Sequence, residues 1–188
     1  MEKLFKNVPF VIAEAGVNHN GELSRALKLV DAAVQAGADA GNFQTFRAEK
    51  LVTAKAPKAR YQKEATGAKE NQQAMLRKLE LSPEAHRKLA AYCRQKGILF
   101  LSTPFDEDSA DFLESLGMTL FKVPSGELTN LALLAHIARK KKPMIVSTGM
   151  STLIEVSAAV ETIRRAGNPP LALLHCVSDY PAAPADAN

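Results

Sequence analysis

The 188-residue sequence predicts an α/β protein built on parallel strands, either a (β/α) barrel or an open doubly wound sheet. Three observations predict it. Short apolar runs alternate with amphipathic helical stretches about six times. A glycine or a proline closes each helical stretch. Polar, glycine-rich clusters follow the apolar runs, at the strand end that faces ligand in parallel βα proteins.

The apolar runs at residues 10–15, 40–46, 98–103, 120–123, 144–147 and 171–177 are too short for helices and read as strands. Several are apolar throughout, as expected of strands covered on both faces. Between them, residues 24–36 carry Ala26, Leu27, Val30, Ala33 and Val34 on one helical face and stop at Gly37. Ser82-Pro83-Glu84 opens a helix with a capping hydroxyl and a first-position proline, and Gly97 closes it. Residues 106–116 end at Gly117, 128–141 stop before Pro143, and 151–165 stop before Gly167. Each glycine is expected to take a left-handed cap. The stretch 47–81 breaks the rhythm. It carries Lys55, Lys58, Arg60, Lys63 and Lys69, and reads as an ordered loop with a short helix near 70–79, serving as a lid or substrate wall or as a solvated excursion.

A hydrophobic content of 46% supports one sizeable core, and 23% charged residues with strong periodicity exclude a disordered chain. The net charge of +4 suits an anionic small substrate as well as it suits nucleic acid. The one basic run, Arg139-Lys140-Lys141-Lys142, reads as a helix C-terminus and not as a nucleic-acid patch. Cys93 and Cys176 lack metal-type spacing and are expected as buried reduced thiols in a cytoplasmic protein. The opening residues lack the apolar core of a secretory signal, and no run approaches the ~20 apolar residues of a membrane span.

Among the polar clusters, Glu14 ends an apolar strand. It could act as a general base, hold a hydroxyl-rich substrate, or cap structure locally. His19, between Asn18 and Asn20, could meet a ligand or orient its own loop. Lys122 is the strongest candidate: an ammonium inside Leu120-Phe121-Lys122-Val123 calls for an anion, and Schiff-base chemistry is open to it in principle. Ser125 and Gly126 follow it. Ser147-Thr148-Gly149-Met150-Ser151 opens a helix whose N-terminus favours anions, and Thr103 adds a hydroxyl. Together these groups make a seat for a phosphorylated, carboxylated small molecule. There is no P-loop, no dinucleotide fingerprint and no assignable triad. His86 and His136 are expected at the surface or boundary, and His175 as a satisfied core imidazole within its strand.

Read in order, residues 12–21, Phe43-Gln44-Thr45-Phe46, residues 56–62, Ser102-Thr103-Pro104-Phe105-Asp106, Lys122-Val123-Pro124-Ser125-Gly126-Glu127, Ser147-Thr148-Gly149-Met150 and His175-Cys176 with Tyr180-Pro181 resemble the sialic acid synthase family. The bacterial N-acetylneuraminate and legionaminate synthases are the most similar. The resemblance covers essentially the whole chain. It implies a TIM-type (β/α) barrel, incomplete here with about six of eight βα units, as a single domain over residues 1–188. That domain would be C-terminally truncated, with no antifreeze-like domain. It further implies condensation of phosphoenolpyruvate with an N-acetylated hexose, such as N-acetylmannosamine, to a nine-carbon 2-keto acid plus phosphate.

Under that resemblance Lys122, Thr103, Ser125, Ser147 and Ser178 hold phosphoenolpyruvate, and Glu14 serves proton transfer or positions water. Gln44, Glu127 and Tyr180 line the sugar site. A divalent metal, Mn²⁺ or Mg²⁺, acts in the complete enzyme, its ligands lying outside this chain, and the full-length protein is a homodimer. Asn42 stands where the family carries a phosphoenolpyruvate-binding lysine, so it is a neutral substrate contact here. The alternative is a truncated, inactive homologue that keeps only anion or partner binding.

Overall fold

Among the described residues six strands form, one at each short apolar run. The computed structural model describes residues 8–58, 62–63, 67, 69–178 and 182–186. The chain divides into two compact units, Met1–Ser102 and Thr103–Asn188. Among the described residues, no helix is long and apolar enough to cross a membrane.

The first unit orders its strands β1 (Ile12–Gly16), β2 (Ala40–Thr45) and β3 (Leu99–Pro104) side by side, the division between units falling within β3. β1 and β2 run parallel, with Glu14 beside Asn42 and a bulge between Glu14 and Gly16. Helix α1 (Leu23–Gln35) buries Ala26, Val30 and Ala33. Leu27 is only half-buried and Val34 is exposed, so the buried stripe is narrower than the five residues expected. After the short α2 (Ala48–Leu51) and α3 (Gln72–Arg77), helix α4 (Pro83–Lys96) starts as predicted. Ser82 accepts the Ala85 N–H, Pro83 fills the first turn, and Gly97 ends the helix at φ +74°. Phe43, Leu89 and Leu101 are fully buried in this unit's core.

The stretch 47–81 is tied together internally where it is described. The Lys58 ammonium is buried, donating to the Gly67 carbonyl (3.0 Å) and to Glu70 (3.2 Å). Glu70 also accepts from Lys78 (2.5 Å). Lys58 is therefore an internal clamp and not part of a solvated basic face. Arg60 lies outside the described residues.

The second unit begins with α5 (Glu107–Ser115), capped by Asp106, which accepts the Ser109 N–H at 2.9 Å. Strand β4 (Phe121–Val123) runs into a 3-10 turn, Ser125–Glu127, before α6 (Leu131–Arg139). The single helix expected over 128–141 is therefore shorter, because Asn130 caps it late. Strand β5 (Met144–Ser147), helix α7 (Leu153–Ala166) and strand β6 (Leu171–Leu174) follow. The sheet order is β4-β5-β6, all parallel, with Lys122 beside Ile145 and Ser147 beside Leu174. β5 is buried throughout; β6 is only partly covered, contrary to the expectation for a doubly covered strand.

Gly167 departs from its expected left-handed cap. Its φ is −162°, an extended value any residue adopts, and the left-handed residue is Asn168. The glycine is needed instead for close approach, since a Cβ there would lie 2.1 Å from the Ala138 carbonyl oxygen at the end of α6. The basic run does sit at the end of α6, and among the described residues two of its four charges are paired: Lys140 with Asp111 and Glu114, Lys142 with Glu114 and the Met118 carbonyl.

Candidate functional site

In the second unit, the ends of β4, β5 and β6 bring four expected or neighbouring groups together. Ser125 opens the turn after β4, and its Oγ accepts the Gly149 N–H at 3.0 Å from the loop after β5. Beyond β6, Cys176 Sγ lies 3.6 Å from Ser125 Oγ and donates to the Leu174 carbonyl at 3.4 Å. Thr148 closes the corner, its N–H and hydroxyl both donating to that same carbonyl at 3.1 and 2.9 Å. Gly149 has no room for a side chain. A Cβ would meet Ser178 Oγ at 2.8 Å, Ser125 Oγ at 2.9 Å and the Cys176 carbonyl oxygen at 3.0 Å. Two side-chain hydroxyls and one backbone carbonyl thus converge on one glycine, a close approach that only a residue without a Cβ permits.

Lys122 lies between Phe121 and Val123, both fully buried. Strand alternation turns its own half-buried side chain to the opposite face of the sheet. Ser147, the last residue of β5, is buried, as is Thr103 within β3. Glu127 is half-buried, and its carboxylate accepts from the Asn130 amide at 2.8 Å. Tyr180 lies outside the described residues.

Two expectations change in this unit. The helix that follows β5 does not start at Ser151. Its N-cap is Thr152, whose hydroxyl accepts the Glu155 N–H while Glu155 accepts the Thr152 N–H. This capping box occupies donors that would otherwise serve an anion. Likewise, β6 ends at Leu174, which leaves His175 exposed in the loop and Cys176 half-buried, neither of them in a strand core. Burial alone would raise the Cys176 thiol. The Ser125 hydroxyl, backbone donors at Thr148 and Gly149, and Ser147 outweigh it and hold the thiol below its ordinary range. Cys93, by contrast, is the buried inert thiol expected, pushed up to about 12 by burial.

In the first unit, Glu14, Asn42 and Gln44 gather around Gly16. The Asn42 amide is buried and donates to both Glu14 oxygens, at 3.1 and 2.8 Å. A Cβ on Gly16 would lie 3.5 Å from Glu14 Oε1 and 3.7 Å from the Gln44 amide nitrogen. His19 orients its own loop: Nδ1 accepts the Gly21 N–H at 3.0 Å, inside a fully buried ring. Its Nε2 is buried with no hydrogen-bond partner among the described residues.

His86 overturns its expected surface position. It is buried, with Nδ1 3.1 Å from the Ser82 carbonyl and Nε2 2.9 Å from the Thr45 hydroxyl, which also meets Ser102 at 2.7 Å. A carbonyl only accepts, so Nδ1 carries the proton and Nε2 accepts from Thr45. Burial keeps both His19 and His86 below the usual imidazole range. His136 sits at the boundary as expected, against Asp111 at 2.6 Å. Sequence reading had passed over His86 and the positioning of Gly149. The spacing of Ser82, the helix cap, and His86 one turn later is the signal that could have found the first.

Two surface cavities are defined among the described residues. One of about 870 Å³ lies along α7 by Val156, Val160, Arg164 and Leu173, and another of about 420 Å³ lies by Gly21, Glu80 and Ser82. Among the described residues, no group of three His, Cys, Asp or Glu side chains could hold a metal ion.

The NeuB family profile matches residues 29–188, so the chain belongs to the NeuB family. It is 50% identical over 183 residues to the N,N'-diacetyllegionaminic acid synthase of Legionella pneumophila, covering 95% of this chain and 51% of that protein. It is 47% identical to the enzyme of the same name from Campylobacter jejuni, covering 92% of this chain and 52% of that one. Among solved structures, the N-acetylneuraminic acid (sialic acid) synthetase of Leptospira borgpetersenii, in complex with citrate, superposes with a TM-score of 0.79 at 33% identity. That match covers 95% of this chain and 57% of that chain. The chain spans about half the length of the curated relatives it matches.

Proposed function

We propose that this chain is the N-terminal part of a phosphoenolpyruvate-dependent synthase. The synthase joins phosphoenolpyruvate to an N-acetylated hexose, N-acetylmannosamine or a similar sugar, and forms a nine-carbon 2-keto acid and phosphate. The observation that carries the reading is the convergence of Ser125, the Gly149 N–H and Ser178 at the ends of successive strands, in a member of the NeuB family. Its fold is a TIM-type barrel, of which this chain supplies about six of the usual eight βα units in one domain. The full-length protein is a cytoplasmic homodimer.

In the reaction, the enol carbon of phosphoenolpyruvate bonds to the sugar's aldehyde carbon, water adds to the resulting cationic carbon, and phosphate leaves by C–O cleavage. Lys122 balances the charge of the enolpyruvyl phosphate, while Ser125, Ser147, Ser178 and Thr103 donate to its oxygens. Glu14 holds or moves the proton of the attacking water, oriented by the Asn42 amide. Gln44, Glu127 and Tyr180 meet the sugar. A divalent ion would supply Lewis-acid polarisation of the aldehyde. The described residues do not fit such an ion, so no step is assigned through it.

One observation favours a second reading, an anion-binding homologue without turnover. The Asn42 amide, standing where the family has a cation, is committed to Glu14. Product formation separates the two. With phosphoenolpyruvate, N-acetylmannosamine and Mn²⁺, the protein at its relatives' full length is expected to yield phosphate and 2-keto acid in equal amounts. The 188-residue chain alone is expected to bind phosphoenolpyruvate without releasing phosphate. Binding at full length without keto acid selects the second reading, and failure of the chain to bind phosphoenolpyruvate contradicts both. In the full-length protein, Asn42→Lys restores a charge-assisted contact and should tighten phosphoenolpyruvate binding by roughly tenfold or more; an unchanged Kd would refute that account of the position.

A further inference from the structure

Cys176 takes no part in the chemistry proposed above, yet its sulfur touches the hydroxyl on which that chemistry depends. The direction of each hydrogen bond is fixed by its ends. The Gly149 N–H only donates, so Ser125 Oγ accepts it at 3.0 Å. The Leu174 carbonyl only accepts, so the Cys176 thiol donates to it at 3.4 Å. The remaining hydrogen, on Ser125, is left to point at Cys176 Sγ, 3.6 Å away, within reach of the larger sulfur atom. One sense therefore runs through the whole chain, from Gly149 to Ser125 to Cys176 to Leu174.

We infer that Cys176 is a positioning residue, whose sulfur fixes the rotamer of the Ser125 hydroxyl and through it the Gly149 N–H. This inference rests on the reading of that corner as the seat of an anionic ligand. Sulfur is a weak acceptor, so an anionic oxygen outcompetes it. On binding, the Ser125 hydrogen turns from sulfur to ligand, while Oγ keeps its place under Gly149. The corner is thus preorganised without a strong internal bond that the ligand must break. The lowered range of the thiol reflects the same convergence of donors.

Three substitutions distinguish positioning from packing. Cys176→Val fills the space with a somewhat larger side chain and loses the acceptor, Cys176→Ser keeps an acceptor in a smaller side chain, and Cys176→Ala loses both. Two readouts are taken on the 188-residue chain: hydrogen exchange of the Gly149 amide without ligand, and the Kd for phosphoenolpyruvate by calorimetry. Positioning predicts that Val and Ala speed exchange and weaken binding by about tenfold, while Ser stays within about threefold on both. Retention by Val with loss in Ser, or equal Gly149 exchange in all four proteins, would overturn the inference. If exchange follows the predicted order but the unsubstituted chain binds no phosphoenolpyruvate, positioning stands and the anion-seat reading fails.

Discussion

Gly149 is the residue on which the second unit's corner turns. Three atoms crowd the place of its missing Cβ, two of them expected ligand hydroxyls. Gly149→Ala should therefore weaken phosphoenolpyruvate binding at least about tenfold and destabilise the fold by about 1–3 kcal/mol, read by calorimetry and urea denaturation. His86 makes a different prediction. It and His19 are buried with imidazoles held below their ordinary range, so the unfolded chain takes up protons first as pH falls. Their contribution is complete above about pH 6.5. It declines below that at up to about 1 kcal/mol per pH unit for each ring until the folded state also protonates. The paired carboxylates, also held low, stabilise the fold above about pH 4 and lose that contribution only as pH falls below it, outside this window. Urea unfolding at pH 7.5 and 5.5 should show this loss, and His86→Gln should flatten the slope; an unchanged slope would contradict the neutral assignment. The Ser82–His86 spacing alone points to a contact with the helix cap and does not show that the ring is buried. Position 86 falls on a helix face whose hydrogen-bond partner, Thr45, lies 41 residues away in the chain.

At the scale of elements, β5 could be read to the residue, because four apolar or small buried positions lie between Pro143 and Gly149. β6 was overrun because Cys176 and Val177 continue the apolar pattern after the ladder has ended at Leu174, where Thr148 takes the carbonyl with two donors. The start of α7 shows how local side chains compete with a ligand. Thr152 and Glu155 satisfy each other's backbone N–H groups. Thr152→Ala should destabilise the chain by about 1 kcal/mol, measured by urea denaturation, while phosphoenolpyruvate affinity stays unchanged. A matching loss of affinity would return the helix N-terminus to the anion seat. Gly167→Ala, forced against the Ala138 carbonyl, should destabilise by about 2 kcal/mol or more.

On the scale of the whole molecule, the alternation of strand and helix was enough to give the parallel strands and the strand ends that carry polar groups, while their grouping into two three-stranded sheets was not read from it. Glu14 and Asn42, 28 residues apart, meet only because β1 and β2 are parallel and in that register. Ser125, Gly149 and Cys176 meet only where three successive strands end together. Sequence names such residues one motif at a time; the sheet decides which of them touch. The central claim is that the Lys122 ammonium, set in an otherwise apolar strand, pairs with the anion of phosphoenolpyruvate. Titration calorimetry of the chain against its Lys122→Met variant tests it most directly. The account predicts a loss of roughly ten- to a hundredfold in phosphoenolpyruvate affinity with the fold intact by circular dichroism. Equal affinity in the two proteins would contradict it.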